Sequence, residues 1–288
     1  MTLQLIEDAF GDPRNVQALA LASDLSYLPE PEGAAAYREQ LGLAARLFSV
    51  GNTQGYVGTN DDHVVVAFRG TEAPTSIEGL KDWLLTDAMN LLIVPEGRLG
   101  TDLAAAGVGA RFHQGFVTAI GAIWDPVSAA VEAELKAKER PLWLTGHSLG
   151  GALALLAGWL FQRKMIPVHQ VYTFGAPMIG NEAASQAFDR ELKGKIFRYV
   201  NVLDPIPKLP TMSLIANQYL HCQREMSLGD AAASGSAVEF FTGMAGKTAD
   251  GVLHATLIDD IWQGLQQRLG AHAMEHYRGL VAELLKKG

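Results

Sequence analysis

One serine, Ser148, stands in the run Gly146-His147-Ser148-Leu149-Gly150. A short bulky stretch, Leu142-Trp143-Leu144-Thr145, precedes it, and an alanine- and leucine-rich stretch from Gly151 to Leu160 follows. The first stretch reads as a strand and the second as a buried helix. Ser148 therefore sits on a tight strand-to-helix turn, with its hydroxyl projecting outward and the turn's N–H groups facing the same space. Small residues at Gly146, Gly150 and Gly151 suit that crowding. This is how a chain presents a serine nucleophile to an acyl carbonyl, a reading that context favours over a chance Gly-x-Ser-x-Gly match in a chain with 30 glycines.

A serine hydroxyl needs a base to take its proton, most often a histidine oriented by a buried carboxylate. With this kind of turn the chain order is serine, acid, histidine. The stretch Ile196-Phe197-Arg198-Tyr199-Val200-Asn201 reads as a strand. Asp204 follows in Asp204-Pro205-Ile206-Pro207, where the prolines stop the strand and stiffen the turn. Asp204 is assigned as the acid in preference to a simple turn cap. Beyond it lie His221, His254, His272 and His276. Met274, Tyr277, Leu280, Val281, Leu284 and Leu285 recur at three- and four-residue spacing, which predicts a helix over 274–287. His272 falls just before it, where the ring can swing over the serine, and is assigned as the base; His276 would point from the helix body.

The tetrahedral intermediate of acyl transfer needs donors already aimed at its oxyanion. The strand-like Val64-Val65-Val66-Ala67-Phe68 ends at Arg69-Gly70-Thr71. The Thr71 N–H and hydroxyl, with the Leu149 N–H, form the natural set. Arg69 reads as a structural ion-pair member, and His113 as a packing or hydrogen-bonding residue near the oxyanion loop. Two segments, 76–111 and 226–262, are candidate lids or flaps. The first carries Trp83, Leu84, Leu85, Met89 and the apolar run Leu91 to Val94. It reads equally as a buried helix followed by an edge strand. The second holds Phe240, Phe241 and Met244 among small residues, and an inert surface excursion accounts for its glycine-rich parts.

The elements that must hold these groups fit one domain over 1–288. Strands near 54–58, 63–68, 142–145, 168–174 and 195–201, with helices between most of them, imply an α/β fold with helices on both faces of the sheet. Residues 1–50 read as an N-terminal helical layer, from Ala18, Leu19, Leu21, Ala22 and Leu25 and then Leu41, Leu43, Ala44 and Leu47. The net charge of −8 is spread along the chain, which disfavours nucleic acid and gives no attraction to anionic membranes. A lipid–water interface can still be met through apolar surface. The single cysteine, Cys222, rules out an internal disulfide. No His/Cys cluster or acidic loop indicates a metal, and no cofactor is expected. The start, Met1 to Asp8, has no Sec-type signal pattern, and no stretch reads as a transmembrane segment. A cytoplasmic location is the default expectation, with signal-free secretion or removal of a leader left open.

Several pieces together resemble the class 3 lipases, a group that includes fungal triacylglycerol lipases and plant and bacterial acylhydrolases. They are Phe68-Arg69-Gly70-Thr71, Asp82-Trp83, His113-Gln114-Gly115-Phe116, Gly146 to Gly151, Thr173-Phe174-Gly175-Ala176-Pro177, the turn with Asn201, Asp204 and Pro207, and His272, Met274 and Tyr277. The ordered set covers roughly residues 60–285. Where the family often has Asp before its histidine, this chain has Ala271. The resemblance implies an α/β-hydrolase fold with a mostly parallel central sheet. It also implies catalytic roles for Ser148, Asp204 and His272, with Thr71 and Leu149 forming the oxyanion hole. The expected activity is hydrolysis of acylglycerol or other acyl esters through a serine acyl-enzyme. A phospholipase A1-type acylhydrolase is the alternative, and a thioesterase or peptidase using the same three residues stands further off. A binding protein that kept the fold and lost the chemistry is the remaining class, disfavoured by the intact Ser148, Asp204 and His272.

Overall fold

The computed structural model describes residues 4–70, 92–96, 99–208, 219–230 and 268–287. Helix α1 (Pro13–Leu25) starts with a proline in its first turn behind Asp12, whose side chain accepts from the Arg14 N–H. Helix α2 (Glu32–Leu41) ends at Gly42, which adopts the left-handed conformation. Three strands follow, β1 (Ala44–Val50), β2 (Thr53–Thr59) and β3 (Val64–Phe68). The helical layer expected over 1–50 thus ends at Leu41, and 44–50 is strand. Its alternation of exposed and half-buried residues is that of an edge strand with one face covered.

The remaining described elements are β4 (Leu92–Ile93), α3 (Gly100–Ala104), β5 (Phe112–His113), α4 (Gln114–Ala137), β6 (Leu142–His147), α5 (Leu149–Arg163), β7 (Val168–Phe174), β8 (Gly180–Asn181), α6 (Glu182–Glu191), β9 (Ile196–Asn201), β10 (Tyr219–Leu220), β11 (Glu225–Leu228) and α7 (Met274–Lys287). Short 3-10 turns span Ile206–Lys208 and Leu269–His272.

Seven strands form the central sheet in the order β1-β2-β3-β6-β7-β9-β11. The first two pairings are antiparallel, and every pairing from β3 onward is parallel. The fold is therefore the expected α/β-hydrolase type with a mostly parallel sheet. A second small antiparallel sheet, β10-β8-β5-β4, accompanies it.

Strand β6 is buried along its whole length, as a central parallel strand must be. Its side chains alternate between two cores. Leu142 and Leu144 join Val66, Ile120, Leu153 and Leu156, on the side of α4, α5 and α6. Trp143 joins Leu19, Tyr37, Tyr172 and Tyr277, on the side of α1, α2 and α7. Helix α5 is buried from Leu149 through Phe161, so it is apolar all round. Each fully buried leucine in it contributes about 1.5–3 kcal/mol of hydrophobic stabilisation. Helix α4 is long and apolar enough to cross a membrane by length and composition alone. Here its buried face, including Phe116, Ile120, Ile123 and Val127, packs into the core shared with α5. Helix α7 has the predicted bounds, with Met274, Tyr277 and Val281 turned into the core beside α1.

Candidate active site

Strand β3 and strand β6 end together, with Phe68 paired to Gly146, and Ser148 follows one residue after β6. Ser148 adopts φ 56° and ψ −127°, and is 4% exposed. A non-glycine residue at positive φ is strained and persists only where its surroundings over-determine it. Here they do. The Ser148 N–H donates to the Phe174 carbonyl at 2.9 Å, and its own carbonyl accepts from the Gly151 N–H at 2.9 Å. A Cβ on Gly150 would lie 2.1 Å from the Phe68 carbonyl oxygen, and one on Gly146 would lie 2.2 Å from the Gly150 carbonyl carbon. The turn closes only with glycine at both positions.

Asp204 is fully buried at the turn after β9. Its Oδ2 accepts from His272 Nδ1 at 2.7 Å and from the Tyr277 hydroxyl at 2.6 Å, and its Oδ1 accepts from the Ile206 N–H at 2.9 Å. Because the carboxylate takes the Nδ1 proton, the lone pair of a neutral His272 lies on Nε2. That atom is buried and has no hydrogen-bond partner among the described residues. Asn201 secures the same turn. Its Nδ2 donates to the Ala271 carbonyl at 2.8 Å and its backbone N–H donates to the Tyr277 hydroxyl at 3.1 Å. Burial raises the Tyr277 phenol well above its usual pKa, so it stays protonated and donates.

Gly175 links this pair to the elbow. It follows Phe174, the acceptor of the Ser148 N–H, and a Cβ on it would lie 3.1 Å from His272 Cε1 and 2.9 Å from Asp204 Oδ2. His147, next to Ser148, stacks obliquely on His272 with ring centroids 4.6 Å apart. The elbow, the Asp204 turn and the His272 turn thus meet around the end of β7. His276 is exposed on α7, one residue before the buried Tyr277.

Gly70 closes on the elbow from the β3 side, since a Cβ there would lie 3.2 Å from Ser148 Cβ. Thr71 lies outside the described residues. Leu149 is the first residue of α5, so its N–H has no intrahelical acceptor. Arg69 donates to the Asn52 carbonyl at 2.8 Å. His113 caps α4, its Nδ1 accepting from the Phe116 N–H and its ring stacked on Phe116 at 3.8 Å. Burial pushes its pKa down to about 3. His221 is likewise pushed down to about 3, chiefly by burial, and contacts the Pro207 carbonyl at 2.5 Å. His254, Trp83 and the Phe240-Phe241 pair lie outside the described residues, as do all of 76–91 and 231–262. Of the first candidate lid, Leu92–Ile93 form the edge strand of the small sheet.

Sequence reasoning missed three contributors. Tyr277 is read from sequence as an apolar-face residue and as part of the terminal histidine segment, with no role for its hydroxyl, although a hydroxyl at a buried helical position demands a partner. His147 adjoins the serine and could have been flagged by that adjacency. Tyr27, whose hydroxyl lies 2.8 Å from His147 Nδ1, carries no local signal.

The family model for Lipase (class 3) matches residues 65–214. Among similar proteins, chloroplastic phospholipase A(1) DAD1 of Arabidopsis thaliana is 31% identical, covering 52% of this chain and 34% of that one. Secreted mono- and diacylglycerol lipase A of Penicillium cyclopium is 29% identical over 62% of this chain and 52% of its own. The chain thus spans about a third to a half of the length of these curated relatives. The solved Rhizomucor miehei triacylglyceride lipase aligns with a TM-score of 0.57 at 25% identity, covering 75% of this chain and 80% of that one. The two curated relatives also correct the cytoplasmic default, because their names place one in the chloroplast and the other outside the cell. With the family model matching just over half of its residues, the chain belongs to the class 3 lipases, a serine ester-hydrolase family with the α/β-hydrolase fold.

Proposed function

We propose that this protein hydrolyses carboxylic esters of acylglycerols or related acyl lipids through an acyl-enzyme on Ser148. The observation that carries the reading is the buried Asp204–His272 pair, with His272 Nε2 unpartnered, beside the Ser148 turn. In the first step His272 Nε2 takes the Ser148 proton as Oγ bonds to the ester carbonyl carbon. The carbonyl oxygen becomes an oxyanion facing the Leu149 N–H and Thr71. Asp204 holds the imidazolium at Nδ1. His272 then protonates the leaving alkoxide as the C–O bond breaks. Water, deprotonated by His272, attacks the acyl-enzyme and releases the carboxylic acid and the Ser148 hydroxyl.

An acyl lipid fits a site with apolar surroundings. Leu203, beside Asp204, and Leu220 on β10, the other edge of the small sheet, are both exposed. They are suited to contact with a lipid–water interface. A phospholipase A1-type specificity is the second reading, favoured by the similarity to a chloroplastic phospholipase A(1).

The test is a panel of p-nitrophenyl esters, emulsified acylglycerols, phospholipids and matched thioester and amide substrates. Oxygen esters should turn over fastest, and Ser148→Ala should lower kcat/KM by about a million-fold. Retained ester hydrolysis in Ser148→Ala, or faster amide cleavage, would overturn the proposal.

A further inference from the structure

One buried side chain outside the Asp204–His272 pair has both of its ring nitrogens engaged. His147 is 5% exposed. Its Nε2 lies 2.7 Å from the backbone carbonyl oxygen of His272, and its Nδ1 lies 2.8 Å from the Tyr27 hydroxyl. A carbonyl can only accept, so Nε2 carries the proton. Burial, then the nearby His272, disfavours the imidazolium and holds the His147 pKa well below its usual value. Nδ1 therefore keeps its lone pair, and the Tyr27 O–H donates to it. Gly70 packs against the same hydroxyl, since a Cβ there would lie 2.2 Å from the Tyr27 oxygen. One line of hydrogen bonds runs from Tyr27 through the residue before Ser148 to the backbone of the base.

The other end of that line explains its use. Asp204 restrains the His272 ring at a single atom, which leaves the backbone of the 269–272 turn free to shift. Two consecutive carbonyls of the turn are held from elsewhere. Asn201, at the end of β9, holds the Ala271 carbonyl at 2.8 Å, and His147, at the end of β6, holds the His272 carbonyl at 2.7 Å. The base is thus tethered to the strand that leads to the acid and to the strand that leads to the nucleophile. A ring 4.6 Å from His272 must also stay uncharged, because a cation there would oppose the imidazolium formed in each turnover.

We propose that His147 is a positioning residue for ester hydrolysis: its Nε2–H anchors the base-bearing turn, and Tyr27 fixes the tautomer that makes this donation. The inference rests on the Ser148–His272–Asp204 reading. The test compares His147→Gln, whose amide N–H reaches the same carbonyl, with His147→Met, which has similar length and no donor. His147→Met should lower kcat about 100-fold with KM unchanged, and His147→Gln should stay within about 5-fold of the parent. Tyr27→Phe should lower kcat about 10-fold, and adding it to His147→Met should cost little more. Nitrogen-15 spectra of histidine-labelled protein should place the His147 ring proton on Nε2 at neutral pH, a state weakened in Tyr27→Phe. A proton on Nδ1, an undiminished kcat in His147→Met, or equal losses in folded His147→Gln and His147→Met would overturn the proposal. Should neither His147 variant fold, Tyr27→Phe and the spectra still decide it. Activity retained in Ser148→Ala would instead sink the catalytic reading, while the spectra would continue to report on the His147 tether alone.

Discussion

The Ser148 elbow and the His272 turn face each other, yet they are held by different physics. The elbow is fixed by main chain. Its positive φ, its bond to Phe174 and the close approach of Gly146 and Gly150 to neighbouring carbonyls leave one conformation. The His272 turn is fixed by side chains reaching in from distant elements, namely Asn201, His147, Asp204 and Tyr277. The main-chain lock centres on residues adjacent in sequence, Gly146 to Gly151, seated against the backbone of the two neighbouring strands at Phe68 and Phe174. A side-chain lock depends on residues separated by up to 125 positions, so it forms only when the fold is complete.

That contrast breaks most sharply at Gly150. A methyl group there meets the Phe68 carbonyl oxygen at 2.1 Å, and main chain cannot rotate away as a side chain can. Gly150→Ala should cost about 3 kcal/mol of stability in urea unfolding, with loss of esterase activity in the folded fraction. A smaller effect follows from Tyr277→Phe, which removes a donor from Asp204 and an acceptor from the Asn201 N–H. We expect about 1–3 kcal/mol of destabilisation by denaturant titration. The exposed His276→Ala on the same helix should stay within about 0.5 kcal/mol of the parent. Equal effects at the two positions would remove the distinction between a side-chain lock and an ordinary helix surface.

A further effect is set by pH. His113 and His221 both have folded pKa values pushed down to about 3, mainly by burial, from 6.5. Between those values the unfolded chain binds protons that the folded chain refuses, so stability rises with pH across that window. It is fully present above 6.5 and is lost as the pH falls toward 3. Urea midpoints at pH 7, 6 and 5 should therefore decline. His221→Gln should flatten the decline, and a midpoint unchanged between pH 7 and 5 would contradict the neutral burial of these rings.

The parts of the chain legible in sequence are those with a local cause. Strand β6, helix α5 and the glycines around Ser148 were readable because strand, turn and helix signals lie within twenty residues. The bounds of α7 followed from its three- and four-residue apolar spacing. Strand β1 was not readable. Leu41, Ala44 and Leu47 imitate a helical period, and the strand's outer face is solvent-exposed, so burial leaves only a weak two-residue alternation. Asp204 and His272 could be nominated from chain order, and the choice of His272 over His276 followed from its place before the helix. The partners that hold them could not be nominated. Tyr27 has no motif, and Tyr277 looks like one more apolar-face residue until its hydroxyl is seen at Asp204.

The sequence by itself determined the Ser148 turn and the sheet class, because each depends on neighbouring residues whose sterics and hydrophobic period act over one or two elements, and it determined the family through an ordered set of such local pieces. Only the tertiary structure decided which side chains clamp the His272 turn and in which tautomer. Those bonds join β6, β9, the turn after α1 and α7, and a hydrogen bond is directional over about 3 Å, a precision that no spacing along the chain encodes.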